Sequence, residues 1–153
     1  MREIKFRAWD KIGKRMGEVN YIRYSNVQYN QVSARFKQNE KTVDEWFNYG
    51  DKDGCDNIIL MQYTGLKDRK GKDIFEGDLC KEFDRDGKET GCLLEILWSG
   101  YYKFDAKVIK GGTLSKGLSF PLWHWDKRKE NGYRKLEVIG NIHENPELLK
   151  EGE

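Results

Sequence analysis

Residues 61–80 read MQYTGLKDRKGKDIFEGDLC. Two apolar segments, Met61 to Leu66 and Ile74 to Cys80, flank the charged loop Lys67-Asp68-Arg69-Lys70-Gly71-Lys72-Asp73. An apolar run, a polar break containing Gly and a second apolar run predict strand, turn, strand. The sequence on both sides of this hairpin continues in the same manner, so the chain is read as mainly β.

Working toward the C-terminus, Glu76-Gly77-Asp78 precedes Leu79 to Phe83, where the Gly allows a bend or bulge. Cys92 to Trp98 reads CLLEILW, apolar on both faces except at Glu95. Such a strand fits the wall of a small barrel or the middle of a sandwich. Ser99-Gly100 turns the chain into a clean alternation. Tyr102, Phe104, Ala106 and Val108 face one way, and Tyr101, Lys103, Asp105 and Lys107 the other. Three antiparallel strands with short turns make a meander, for which a five-stranded SH3-like barrel is a natural closure.

Gly111-Gly112 and Gly117 then lead to Leu118–Trp125, where Trp123 and Trp125 flank His124. Aromatic rim packing is the simpler reading of that cluster, because the His has no acidic or Cys partner at motif spacing. A basic loop from Lys127 to Lys135 precedes a last strand, KLEVIGNI, over Lys135 to Ile142. Asn145 and Pro146 read as the N-cap and first position of a short helix that lays Leu148 and Leu149 on the sheet.

Toward the N-terminus, Asn57 to Met61 leads into the central hairpin. Glu3 to Trp9, EIKFRAW, alternates as a half-buried strand, and a turn at Asp10 to Lys14 joins it to a weaker strand near Met16 to Tyr24. From Gln31 to Lys41 the pattern fades, which predicts a loop. Thr42-Val43-Asp44-Glu45 matches a capping box and predicts a short helix carrying Trp46 and Phe47. The expected architecture is one domain over residues 1–153. An N-terminal hairpin lobe (1–30) packs on a small antiparallel SH3-like barrel or sandwich (58–153) with one or two short helices, and residues 31–57 form a variable insert or loop.

Composition bounds the function. Charged residues make up 35% of the chain, yet five Trp, eight Tyr and seven Phe supply enough apolar area for a folded core. The net charge is only +2. Up to Lys41, however, there are ten Lys or Arg against four Asp or Glu, which permits an acidic partner. No apolar window approaches the ~18 residues of a membrane span, and no signal peptide is evident, so a cytoplasmic protein is expected.

The three cysteines, Cys55, Cys80 and Cys92, match no zinc spacing and no disulfide framework. Cys80 and Cys92, brought near one another by a hairpin, read as small, partly buried side chains. Asp51-Lys52-Asp53-Gly54 and Asp86-Gly87 fail the calcium-loop register and read as turns. Gly65 followed by Gly71-Lys72 misses the phosphate-loop spacing by one residue and has Asp73 where a Ser or Thr belongs. No cofactor, metal or catalytic constellation is assigned.

Tyr21, Tyr24, Tyr29 and Phe36 are interleaved with Arg23, Arg35 and Lys37. Aromatics among cations can stack bases and meet phosphates. A nucleic-acid surface would therefore use Arg23, Tyr24, Arg35 and Lys37 together with Lys127, Arg128 and Lys129.

Four stretches carry a family resemblance: Ile4-Lys5-Phe6-Arg7-Ala8-Trp9-Asp10, Met61 to Asp68, Glu76-Gly77-Asp78, and Val138-Ile139-Gly140-Asn141-Ile142-His143-Glu144-Asn145-Pro146. In combination and in this order they resemble the YopX-like proteins of phages and prophages of Gram-positive bacteria. The resemblance implies a mainly β fold and a phage or prophage origin, and it brings no catalytic residue, cofactor or substrate. Arg7, Asp10, Thr64, Asp78 and Asn141 are polar positions inside these strand-like signatures, and are expected to form a hydrogen-bonded network joining the N-terminal hairpin to the barrel. The expected function is that of an accessory protein acting without catalysis, by binding another protein or by associating with itself. The alternative is a nucleic-acid-binding SH3-like module.

Overall fold

The computed structural model describes residues 3–25, 30–49, 57–101, 103–126 and 134–150. The mainly β expectation holds: eleven strands among the described residues form two antiparallel sheets. The chain divides into two compact units, Glu3–Gln62 and Tyr63–Glu153.

The first unit contains β1 (Phe6–Asp10), β2 (Arg15–Arg23), β3 (Asn30–Gln38), β4 (Lys41–Tyr49) and the first half of β5 (Ile58–Lys67), in the order β4-β3-β2-β1-β5. The predicted β1–β2 hairpin forms. Its turn is organised by Asp10, whose Oδ1 accepts the N–H groups of Ile12 (3.1 Å) and Gly13 (3.0 Å). Ala8, Val32, Ala34, Phe36 and Ile58 are buried on one face, with Val19, Ile22, Phe47, Tyr49 and Leu60 packed around them. Gly17 lies against Phe36 so closely that a Cβ there would fall 2.7 Å from the ring and 2.9 Å from the Arg35 carbonyl oxygen.

Two expectations are corrected in this unit. The segment from Gln31 to Lys41 is not an irregular loop: most of it is β3, which turns at Asn39 (φ 58) into β4. The alternation that builds β3 is Val32, Ala34, Phe36, all fully buried. The capping-box segment Thr42 to Glu45 is strand rather than helix, pairing residue for residue with β3 from Gln38↔Lys41 to Asn30↔Tyr49. Local capping chemistry loses here to a nine-pair ladder and to the β preference of Thr, Val, Trp, Phe and Tyr.

The second unit holds the end of β5, β6 (Asp73–Phe75), β7 (Asp78–Phe83), β8 (Glu89–Ser99), β9 (Lys103–Lys110), β10 (Ser119–Pro121), β11 (Lys135–Asn141) and a one-turn helix, α1 (Glu147–Lys150). Its five-stranded sheet runs β10-β9-β8-β7-β11, a meander compatible with an SH3-like body. The central hairpin joins β5 to β6 through Tyr63↔Phe75 and Lys67↔Asp73, with a register shift between them. Gly65 (φ 85) takes up that shift in a conformation that other residues rarely adopt.

The second apolar run of the hairpin is two strands, because Glu76-Gly77 breaks it. The Gly77 N–H donates to Ile96 O (2.7 Å), and its carbonyl accepts the Ile142 N–H (2.9 Å). Phe104, Ala106 and Val108 are buried as their alternation requires, beside Ile74, Cys80, Leu94, Ile96, Leu122, Trp125 and Leu136. Tyr102 lies outside the described residues.

Cys80 and Cys92 are buried, and the register sets Cys80 opposite Leu94. Leu122–Trp125 forms a 3-10 turn in which His124 stacks on Trp123 (4.1 Å, 16°) and meets Phe120 and Trp125 edge-on, an aromatic rim as expected. Asn145 precedes the terminal helix, but its side chain reaches backward: Oδ1 accepts the Asn141 N–H (3.3 Å).

Candidate binding surface of the N-terminal sheet

The two sheets treat their edges differently. In the second unit β11 is an edge, and two of its outward groups are taken up: Arg69 N–H donates to Leu136 O (2.8 Å), and Val138 N–H donates to Asp68 Oδ2 (3.1 Å). Asp68 is buried and also organises its own loop, its Oδ1 accepting the N–H groups of Lys70 (2.8 Å) and Lys72 (2.9 Å). The opposite edge, β10, is three residues long and ends in Pro121. A covered edge and a short, Pro-terminated edge are two recognised ways of preventing strand addition.

In the first unit one edge of the sheet is β4, the opposite border being formed by β5 and, beyond it, β6. β4 has nine residues without proline or register shift, and among the described residues it pairs with β3 alone. Alternate residues of such a strand direct N–H and C=O groups away from the sheet. Val43, Phe47 and Tyr49 on its core-facing side are only half-buried. Two charged side chains lie on that side: Lys41, exposed at the start of the strand, and Glu45, which is bound by Arg15, whose Nη2 donates to Oε2 at 2.5 Å while Nε donates to Asp10 Oδ2 at 3.0 Å. The guanidinium also lies 4.2 Å from the Phe36 ring centroid. Burial pushes the Asp10 carboxyl up, but the N–H bonds from Gly13 and Ile12 and the Arg15 guanidinium outweigh it and hold it below the usual range.

On the other face of this sheet, Tyr21 and Trp46 flank Ser33 from the strands on either side. Their rings are near-parallel (6.4 Å between centroids, 12°) and remain 67% and 56% exposed, while Ser33 beneath them is buried. An exposed aromatic pair on a flat strand face is a contact surface in waiting.

Of the residues singled out for nucleic acid, the described ones lie on or just after β2 and on β3. Arg23 ends β2 and Tyr24 follows it, both exposed. Lys37 is exposed on β3. Arg35 is held by the opposite carboxylate: Nε and Nη2 donate to Asp44 Oδ1 and Oδ2 at 2.8 and 3.0 Å, which holds the Asp44 carboxyl below its usual range. A guanidinium chelated in this way is already engaged as a phosphate ligand would engage it. Lys127, Arg128 and Lys129 lie outside the described residues.

The five polar signature positions divide between the units: Arg7 and Asp10 in the first, and Thr64, Asp78 and Asn141 in the second. Thr64 Oγ1 donates to Ile74 O (2.8 Å) and accepts the Leu66 N–H (3.2 Å). Asp78 Oδ2 accepts the Phe75 N–H (2.8 Å). Asn141 Oδ1 accepts the N–H groups of His143 (3.0 Å) and Glu144 (2.9 Å). Each of these three fastens a turn, which is why a polar residue stands within each strand-like signature.

Sequence reasoning passed over Glu82, the most enclosed polar cluster of the second unit. Its carboxylate is fully buried. Oε1 accepts the Trp125 indole N–H (3.0 Å), and Oε2 accepts Thr90 Oγ1 (2.8 Å), Arg134 Nη1 (2.8 Å) and, at longer range, Thr113 Oγ1 (3.4 Å). One carboxylate thus holds both Trp125 and Arg134, the residues on either side of the basic loop. Every oxygen is satisfied by structural donors, so the cluster is a clamp rather than a reactive site. Among the described residues, no group of three or more His, Cys, Asp or Glu side chains is placed to hold a metal ion. No helix among them is long and apolar enough to cross a membrane.

A family model described as "YopX protein" matches residues 5–150. Two solved structures share the fold across nearly the whole chain. Protein EF1440 from Enterococcus faecalis is 28% identical, with 97% of this chain and 99% of that one covered at a TM-score of 0.59. Protein yopX from Bacillus subtilis is 22% identical, with 97% and 98% covered at a TM-score of 0.55. A search among curated proteins gave no match.

Proposed function

The chain belongs to the YopX family, and from that premise we propose that it is a phage or prophage accessory protein that works without catalysis, as a protein-binding or self-associating module whose working element is the edge strand β4. The observation that carries this reading is the contrast between edges. On β11 the Leu136 carbonyl and the Val138 N–H are taken by Arg69 and Asp68, whereas β4 offers nine uninterrupted residues. A strand added along such an edge gains main-chain hydrogen bonds for affinity and side-chain contacts for selectivity. Trp46 stands on the same strand and provides the large aromatic contact on which binding surfaces depend.

The nucleic-acid alternative draws support from the exposure of Tyr21, Trp46, Arg23 and Lys37, but Asp44 occupies Arg35 and Glu18 is exposed beside it in the neighbouring strand. The discriminating experiment is capture of partners by the tagged chain from phage-infected host cells, with and without nuclease, followed by titration of the isolated partner. A nuclease-resistant partner that binds the purified chain with little dependence on salt supports the proposal. A partner released by nuclease, or affinity that collapses steeply as salt is added, transfers the function to nucleic acid.

A further inference from the structure

We infer that the occupant of the β4 edge is the β4 of a second copy of this chain, paired antiparallel about a two-fold axis through Glu45. The inference rests on the binding role proposed for that edge and names its partner. An antiparallel two-fold pairing places the residue at position 45 + n opposite 45 − n, with opposed side chains on the same face. Centring on Glu45 is the one register that uses all nine residues of β4.

The pattern is then complementary to itself. On the core-facing side Val43 meets Phe47 twice, and Lys41 meets Tyr49 twice. Val43, Phe47 and Tyr49 are the half-buried side chains whose exposed halves the single sheet leaves uncovered, and Lys41 lays its exposed aliphatic stem along Tyr49 of the other copy. On the opposite side Thr42 meets Asn48 twice, and Asp44 meets Trp46 twice. At the axis the two Glu45 carboxylates face one another, each with an Arg15 guanidinium already at 2.5 Å, so the like-charge contact that would oppose this register is compensated from within each copy. Moving the axis to Val43 leaves only Lys41 to Glu45 paired within the strand and puts Trp46 beyond the ladder. The full-length register therefore has the larger contact and the better match of side chains.

The test exploits the two Thr42–Asn48 contacts, which lie on the solvent face of each copy. Sedimentation equilibrium over ~1 μM to ~1 mM, the range in which a weak dimer converts, reads the mass directly. T42K/N48K sets lysine opposite lysine twice and is expected to raise the dimer Kd by roughly tenfold or more. T42K/N48E sets lysine opposite glutamate twice and is expected to return the Kd to the wild-type value or below. Circular dichroism verifies that both variants fold. A wild-type chain that stays monomeric throughout overturns the inference, as does a dimer on which the two charge variants act alike. Nuclease-resistant capture of a different protein by a monomeric chain would leave the general binding role standing and remove only the second copy. Loss of that capture as well removes both.

Discussion

Replacing Glu82 by alanine is the sharpest test of how the second unit is held together. The carboxylate is fully buried and accepts three hydrogen bonds of 3.0 Å or less, from Trp125, Thr90 and Arg134. Without it the indole N–H of Trp125, itself 6% exposed, loses its acceptor in the interior, at a cost of about 1–3 kcal/mol. Thr90 is half-buried and can turn its hydroxyl, so it adds ~1 kcal/mol or less. The Arg134 side chain is 39% exposed and can solvate its charge; its share is discounted to that of a surface pair, about 0–1 kcal/mol. The void left by four heavy atoms brings the expected total to about 3–5 kcal/mol, in the range for a broken buried pair.

For a chain of this length that loss lowers Tm by about 6–20 °C. Glu82→Gln keeps the volume and an acceptor for Trp125 but presents a donor to Arg134, so the expected loss is smaller, about 1–2 kcal/mol. Urea unfolding followed by tryptophan fluorescence measures both, because Trp125 reports on the very bond removed. An Glu82→Ala variant within ~1 kcal/mol of wild type would refute the clamp, and so would equal losses for alanine and glutamine.

Three further outcomes are expected. Gly17→Ala should destabilise by about 1–3 kcal/mol in the same assay, because its Cβ has only the Phe36 ring and the Arg35 carbonyl to enter. A double-mutant cycle of Tyr21→Ala and Trp46→Ala should give a coupling of about 0.5–1.5 kcal/mol; a value of zero would mean that the two exposed rings do not stack in solution. Glu95→Gln should raise Tm at neutral pH and have no effect in acid. Burial raises the Glu95 carboxyl above its ordinary pKa against the pull of Lys107, so the native state binds its proton more tightly than the unfolded chain does, and stability falls as pH rises through the folded value. Thermal melts of both proteins from acid to neutral pH check the sign.

Much of the fold was legible because its strands announce themselves by alternation. Phe104, Ala106 and Val108 are buried as their spacing requires, and the break at Glu76-Gly77-Asp78 falls where the glycine suggested. The segment after Gln31 was not legible for two reasons. Its core positions, Val32 and Ala34, are small and set among polar residues, so they give a weak signal. The Thr42–Glu45 capping pattern is locally sound and is overruled only by pairing with a strand that had itself gone unrecognised.

The candidate site suffered from the same blindness to register. Arg35 and Asp44 are nine residues apart and become a chelated pair only once the β3–β4 hairpin exists. Glu82 looks like an ordinary solvent-facing charge in a strand, and its partners Trp125 and Arg134 are 43 and 52 residues away. Which strand stands at the border of a sheet is a property of the whole topology, and no short stretch of sequence encodes it.

The guard that Asp68 and Arg69 mount over β11 limits what can be added to the second sheet at that border. A molecule with two bare sheet borders can be extended at both ends and grows into a fibre. Closing the β11 border at the Leu136 carbonyl and the Val138 N–H opposes strand addition at that place in the second unit. Loosening that loop, for instance by Asp68→Ala, strips the Val138 N–H of its acceptor and is expected to promote association through β11, visible as turbidity where the parent protein stays clear.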